Sequence, residues 1–414
     1  MLTQTILALL LAAPPADAWP EFRGPTGDGI AHSSATPPTK FGEAENLRWK
    51  VPVHDLGWSS PVVWGNQIWV TTATEFGTEY FAVGFDRKTG RTIHDLKLFT
   101  HEKPTDIRRF NTYASPTPVV AEGKLFAHFG TFGTACVDTA TGKKLWERTD
   151  IHVDHFRGPA SSPVLFDGKL FLLFDGFDRQ FVICLDATTG KTVWEKDRDL
   201  PYKNSGNAER DNDFKKGFAT SSVLIVNGQP QLVAPAAMGV IAYDPKNGNE
   251  LWRVITDGMN QASRPVLAND LIYLTAGHTY TLFAVKTGGS GNITKSHVAF
   301  KKEKVAATKP SPLVAGETLY MVNDTGVLLA LEARTGKEKW KESLGDKFAA
   351  SPILANGMLY LSSEAGNVFV VKQGESYELV SKNKLEGPIR ASPAAVGKDF
   401  IVRTYTHLYC FGMK

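Results

Sequence analysis

DATTGKTVW, Asp186 to Trp194, occurs in three further versions: DTATGKKLW ending at Trp146, DPKNGNELW ending at Trp252 and EARTGKEKW ending at Trp340. Each version opens on an acidic residue, has Thr or Asn three places on, then Gly, and Trp four places after the Gly. A pattern recurring at spacings of tens of residues marks a repeat architecture, in which no unit can bury its apolar face alone. The local chemistry is that of a hairpin. Gly takes positive φ between two apolar alternating runs, and the acidic side chain hydrogen-bonds the turn backbone. Gly90, Gly142, Gly190, Gly248 and Gly336 all occupy this slot, each behind a short strand such as TACVD or VICLD.

A second signature lies roughly 20 to 30 residues upstream of these turns and recurs eight times, from SSPVVWGNQIWV at Ser59 to ASPAAVGKDFIV at Ala391. Each copy is a strand, a turn containing Gly or Asn, and a second strand rich in aromatic and β-branched residues. Four strands per repeat, eight times, predict an all-β fold: an eight-bladed β-propeller of four-stranded antiparallel blades. The last copy ends at HLYCFGMK with no fourth strand, and NLRWKVPV near the N-terminus, with Trp49 in the Trp slot, is expected to complete that blade. The ring then has no free radial edge. The Trp is expected to cover the next blade; His94 fills its slot in blade 1, and blades 5 and 7 have degenerate turns, so those interfaces should pack differently.

The repeated A-x-D-x-x-T-G-x-x-x-W, together with WPEFRGPTGDG at Trp19–Gly29, resembles the quinoprotein-type, or pyrroloquinoline-quinone-like (PQQ-like), β-propeller repeat family. The resemblance spans nearly the whole chain and implies the fold; the repeat residues hold blades together and do not bind quinone. The repeat also resembles that of the large quinoprotein alcohol dehydrogenases, a resemblance that would imply PQQ with calcium, a stacking Trp, a catalytic carboxylate and a disulfide between adjacent cysteines. This chain has no Cys-Cys pair, and no cofactor is expected. The chain is similar as well to the eight-bladed scaffold that assists outer-membrane barrel assembly without quinone.

The 414 residues carry a formal net charge of +3 with both signs interspersed, so a nucleic-acid surface is not expected. An apolar run from Ile6 to Ala13, followed by Ala16-Asp17-Ala18, fits a cleaved secretory signal. The expected organisation is a signal peptide over 1–18, an N-terminal extension over 19–46 and the propeller over 47–414. The mature protein is then periplasmic or secreted, monomeric and without an integral membrane segment. Cys136, Cys184 and Cys410 share one small-residue slot of their repeats, which predicts three buried free thiols beyond disulfide reach of one another. His152, Asp154 and His155 match no metal-site spacing and are taken as a solvated loop.

Propeller geometry places the second-to-third-strand loops and the blade-to-blade connections on one face. That face receives the long segments 97–114, 174–180 and 195–218. Just ahead of the inner strands stand Arg109, Asn111, Arg157, Lys309 and Arg390, with Arg264 at a strand start; Asp175, Asp178 and Arg179 add hydrogen-bonding groups. Converging cations suit an anion: a carboxylate, a phosphate or an acidic peptide. No Ser-His-Asp order, metal motif or phosphate loop specifies an enzyme. The expected function is a non-catalytic binding or scaffold module that recognises a protein, peptide or anionic small molecule at this face. The alternatives are a PQQ-dependent dehydrogenase of alcohols or sugars and a carbohydrate- or small-molecule-binding propeller.

Overall fold

Thr-Gly turns and Trp residues do the joining that their repetition implies. The computed structural model describes residues 15–108 and 110–413. Among these, eight sheets each carry four antiparallel strands, as in blade 3: Val164–Phe166, Lys169–Asp175, Gln180–Asp186 and Thr192–Asp197. In its turn, Asp186 Oδ1 accepts from the Thr188 and Thr189 backbone N–H and the Thr189 hydroxyl. Gly190 then takes φ +71°, and a Cβ there would lie 2.7 Å from the Trp146 indole of blade 2. Only Gly meets both demands, the left-handed backbone and the indole lying flat against it. Trp146 Nε1 also donates to the Ala187 carbonyl at 3.0 Å. The same docking joins Trp49 to the Arg87 carbonyl at 2.9 Å and Trp194 to that of Pro245 at 3.1 Å.

At blades 1 and 5 the joint changes where the sequence departs from the pattern, whereas the degenerate turn of blade 7 is still met by Trp340, whose Nε1 donates to the Gly374 carbonyl at 3.2 Å. His94 makes the blade 1–2 contact through Nε2 and the Thr139 carbonyl, 3.0 Å apart. The degenerate turn of blade 5 is replaced by a longer excursion whose Gly291–Asn292 pairs in parallel with the outer strand of blade 4, Glu250–Ile255. Trp252 consequently donates to Gln231 of its own blade instead of to a turn carbonyl.

The ring closes as predicted. Leu47–Pro52 is the outer strand of the last blade, with Trp49 opposite Cys410 and Lys50 opposite Tyr409. Asp399 of that blade is buried between Arg48 at 2.9 Å and Arg87 of blade 1 at 2.7 Å. The three cysteines are buried and free, and burial pushes their thiols up to about 12.

A second closure runs around the axis. The residue at the start of each inner strand is Ser or Thr in seven blades, and its hydroxyl accepts the backbone N–H of its counterpart in the preceding blade. Ser60 donates to Thr117, Thr117 to Ser162 and Ser162 to Thr220; Ser311 donates to Ser351, Ser351 to Ser392 and Ser392 to Ser60, all at 2.9–3.0 Å. Blade 5 has Arg264 in this slot. Its backbone N–H donates onward to Ser311, while its guanidinium reaches back to Ser221 and Ser222 of blade 4.

The extension is a plug. Ala18–Trp19 pairs with Val63 and Trp64 of blade 1, Pro20 accepts from Val120 of blade 2, and the Arg23 guanidinium donates to Pro312 of blade 6. Gly29 and Ala31 bond Leu354 of blade 7, and Thr36 donates to Gly397 of blade 8. Glu21 and Phe22 are held by Arg264, with Gly27 against the guanidinium where no Cβ would fit. The contacts with blades 1, 2, 7 and 8 lie toward the far ends of the inner strands, while Phe22 and Arg23 reach Arg264 and Pro312 at strand starts, so the plug stops the channel below the axial ring and leaves the loop-rich end open.

Candidate functional site at the channel mouth

Side chains in a strand alternate, so the residue two places before each ring Ser or Thr faces the same way it does. Those positions form the wall immediately above the ring. Four of them are small (Ser115, Ala160, Ala262 and Ala349), which leaves space; Trp58 and Phe218 are aromatic, and Lys309 and Arg390 are cationic. The space is a cavity of about 490 Å³ whose lining reaches down to Phe22 of the plug. Lys347 of blade 7 and Arg157, Asn111 and Phe110 on the long connections complete the wall used below.

The wall is divided. Blades 6 to 8 supply Lys309, Lys347 and Arg390, whereas blades 1 and 4 supply Trp58 and Phe218. Arg390 stacks over the Trp58 ring at 4.3 Å and donates to Glu364 at 2.9 Å. Lys309 lies 3.6 Å from the same carboxylate and 3.7 Å from Asp324. Arg157 is clamped by Asp213, with contacts of 2.9 and 2.5 Å. Lys347 is exposed and has no carboxylate partner among the described residues. Trp58 Nε1, a donor, and Asn260 Oδ1, an acceptor, are buried without a hydrogen-bond partner.

Of the residues chosen from sequence, Asn111, Arg157, Lys309 and Arg390 meet at this cavity. Arg109 lies outside the described residues. Asp175, Asp178 and Arg179 stand elsewhere, because strands step outward by about 4.8 Å each and only first strands flank the channel, and Arg264, although on a first strand, turns toward the plug. Asp175 is buried between blades 3 and 4 beside Arg198 at 3.3 Å, and desolvation pushes its carboxyl up to about 6 against the lowering effect of that cation. Asp178 accepts from the Asp154 backbone, and Arg179 bridges Glu195 and Asp197 of the outer strand. Arg264 anchors the plug. His155, expected in a solvated loop, instead sets its ring against Phe218 at 5.4 Å.

Sequence reasoning missed Lys216 beside the mouth. It is fully buried, with Nζ 4.0 Å from the Phe156 ring centroid and 4.7 Å from that of Phe177, and without a hydrogen-bond partner. Burial pushes its ammonium down to about 8 from an ordinary 10.5. The unfolded chain therefore binds more protons than the folded one between those values, and stability rises with pH across that window. Lys216→Met, which keeps the volume and removes the buried charge, is expected to stabilise by about 1 kcal/mol at pH 7. It should also abolish the rise above pH 8; urea titrations at neutral and alkaline pH measure both.

Repeat, ring and radial sheets define a PQQ-like-repeat β-propeller. Residues 52–196 and 237–376, well over half of the chain, match the family described as outer membrane protein assembly factor BamB, and the chain belongs to that family. Over 143 residues it is 27% identical to the outer membrane protein assembly factor BamB of Legionella pneumophila (strain Paris). That match spans 34% of this chain and 35% of the relative, about a third of its length. The crystal structure of BamB from Moraxella catarrhalis aligns with TM-score 0.62 at 12% identity, covering 89% of this chain and 99% of that one. Quinohemoprotein alcohol dehydrogenase from Comamonas testosteroni aligns at 0.73 and 11%, covering 97% and 81%. A europium-containing methanol dehydrogenase aligns at 0.72 and 11%, covering 96% and 98%. At these identities the structural likenesses show the fold alone.

The mouth does not suit the calcium that the quinone reading needs. Calcium takes six to eight oxygen ligands, usually including several carboxylates. The lining carboxylate here, Glu364, already faces Arg390 and Lys309. Among the described residues no group of three or more His, Cys, Asp or Glu could hold a metal, and no helix is long and apolar enough to cross a membrane.

Proposed function

We propose that the chain is an exported, non-catalytic scaffold of the bacterial envelope that recognises a partner protein at its loop-rich face. The reading is supported above all by the blind cavity. The channel is stopped by the chain's own extension, so the fold offers a ligand one way in, through a rim of interlocked loops. Asn111 donates to the Arg157 and Pro159 carbonyls, Lys215 to that of Phe177, and Asn260 to that of Lys216. Loops tied in this way form a platform whose ordering cost is met during folding, which favours binding.

Exposed aromatics mark the same face. Phe76 is 71% exposed, Phe110 53%, Tyr280 43% and Tyr405 42%, and all stand on second-to-third-strand loops or the first blade connection. The test is a photo-crosslinking amino acid placed at Phe110 or Tyr405, and for comparison at Leu145 or Leu379 on outer strands, in the producing cell. Adducts are expected from the rim positions. Adducts from the outer strands with none from the rim would place the partner elsewhere and end this reading.

A further inference from the structure

We infer that the mouth takes the tip of an acidic polypeptide segment that carries an aromatic side chain next to its carboxylates. The inference rests on the reading above and names the chemistry of the partner. Charge is its first support. The whole chain is only +3, yet the described buried residues include Arg23, Arg198, Lys216, Arg264 and Arg403 against the carboxylates Asp175 and Asp399. Arg403 is held by the Ser59 hydroxyl and the Ser59 and Thr71 carbonyls, with no acid among its hydrogen-bond partners. At the mouth Arg157 faces Asp213, and Lys309 and Arg390 share Glu364 and Asp324, so four cations meet three carboxylates and Lys347 is the one left without an acid among the described residues; low-dielectric walls strengthen the field of that uncompensated charge.

Shape is the second support. Phe22 stops the cavity, so a chain cannot thread through it; a loop tip or chain end can enter. A tip presenting carboxylates to Lys347 and Lys309 can lay an aromatic ring against Phe218 of blade 4, across the cavity from Trp58, whose ring Arg390 already covers. The segment beyond the tip would leave over Phe110 and Tyr405, surface that a small anion confined to the cavity would not reach.

The probe is a fluorescein-labelled peptide, acetyl-Gly-Asp-Phe-Glu-Gly-amide flanked by Gly-Ser spacers, titrated by anisotropy into the full chain. Saturable binding is expected, weakened about tenfold or more by Asn and Gln in place of the acids and markedly by Ala in place of the Phe. Lys347→Ala, which breaks no ion pair within the fold, should weaken binding about tenfold at unchanged thermal stability. Equal affinity for the neutral peptide, or for Lys347→Ala, overturns the proposal. Citrate that competes as tightly as the peptide overturns it in favour of a small-carboxylate site. Rim crosslinks without peptide binding would sink this inference alone, whereas absence of rim crosslinks sinks the scaffold reading with it.

Discussion

Asp399→Ala is expected to cost about 3–5 kcal/mol, the range for removing one partner of a buried ion pair, and to open the molecule at one place first. The Asp399 side chain is 5% exposed and serves two arginines. Arg48 lies on the N-terminal strand that completes the last blade, and Arg87 lies on the Thr-Gly turn of blade 1, where it also donates to the Gly65 and Val396 carbonyls. Without the carboxylate, Arg87 keeps its carbonyls and loses its counter-charge, and Arg48 no longer ties Leu47–Pro52 to the interior. The amides of 47–52 and 407–412 should therefore exchange with solvent well before those of blade 4, which is closed on both sides by its neighbours. Asp399→Asn, which keeps acceptor oxygen without charge, should fall between wild type and Asp399→Ala. Uniform loss of protection around the ring would show that the closing blade is not the weak seam.

The fold could be read from sequence because its joints are local. Acid, Thr or Asn and Gly in one turn fix that turn, and Trp49, Trp146 and Trp194 each meet the same turn in the next blade, so these interfaces are specified without knowledge of distant contacts. Trp49 could be assigned to the last blade on the same ground. The mouth was half legible. Lys309 and Arg390 stand in a fixed register with the inner strands, but Asp175 and Arg179 were placed by loop membership alone, which says nothing about distance from the axis. The signal for Arg264 was present: aligning the eight inner-strand starts leaves seven hydroxyl residues and one arginine, and the exception is a residue with a different task. The plug was not legible. Several of its contacts join residues more than 240 positions apart, such as Phe22 to Arg264 and Arg23 to Pro312, and no periodicity announces them.

Arg264 should accordingly be the most sensitive single position for the channel's closed end, and its effect should depend on pH. Arg264→Met leaves the Glu21 carboxylate facing the axis without its cation and removes the donor to Phe22, at an expected cost of about 3–5 kcal/mol. Burial already holds the Glu21 carboxyl above its ordinary range, opposed by Arg264; with the arginine gone it should rise further. The folded variant then binds a proton that the unfolded chain gives up, so its stability falls as pH climbs from the unfolded value through the folded one. The deficit relative to wild type should thus be smaller at pH 5 than at pH 8, and adding Glu21→Gln should recover much of it at pH 8. Arg264→Ser separates the two duties of the site. It supplies the eighth hydroxyl that the axial ring lacks while still releasing the plug, so it should be less destabilising than Arg264→Met by about 1 kcal/mol, one hydrogen bond's net worth. If Arg264→Ser and Arg264→Met unfold alike in denaturant at both pH values, the ring bond contributes nothing there and the whole effect belongs to the plug. If neither variant is destabilised, Phe22 is not held by Arg264, and the cavity's floor must be secured by the plug's remaining contacts, among them Arg23 to Pro312 and those with Val120 and Leu354.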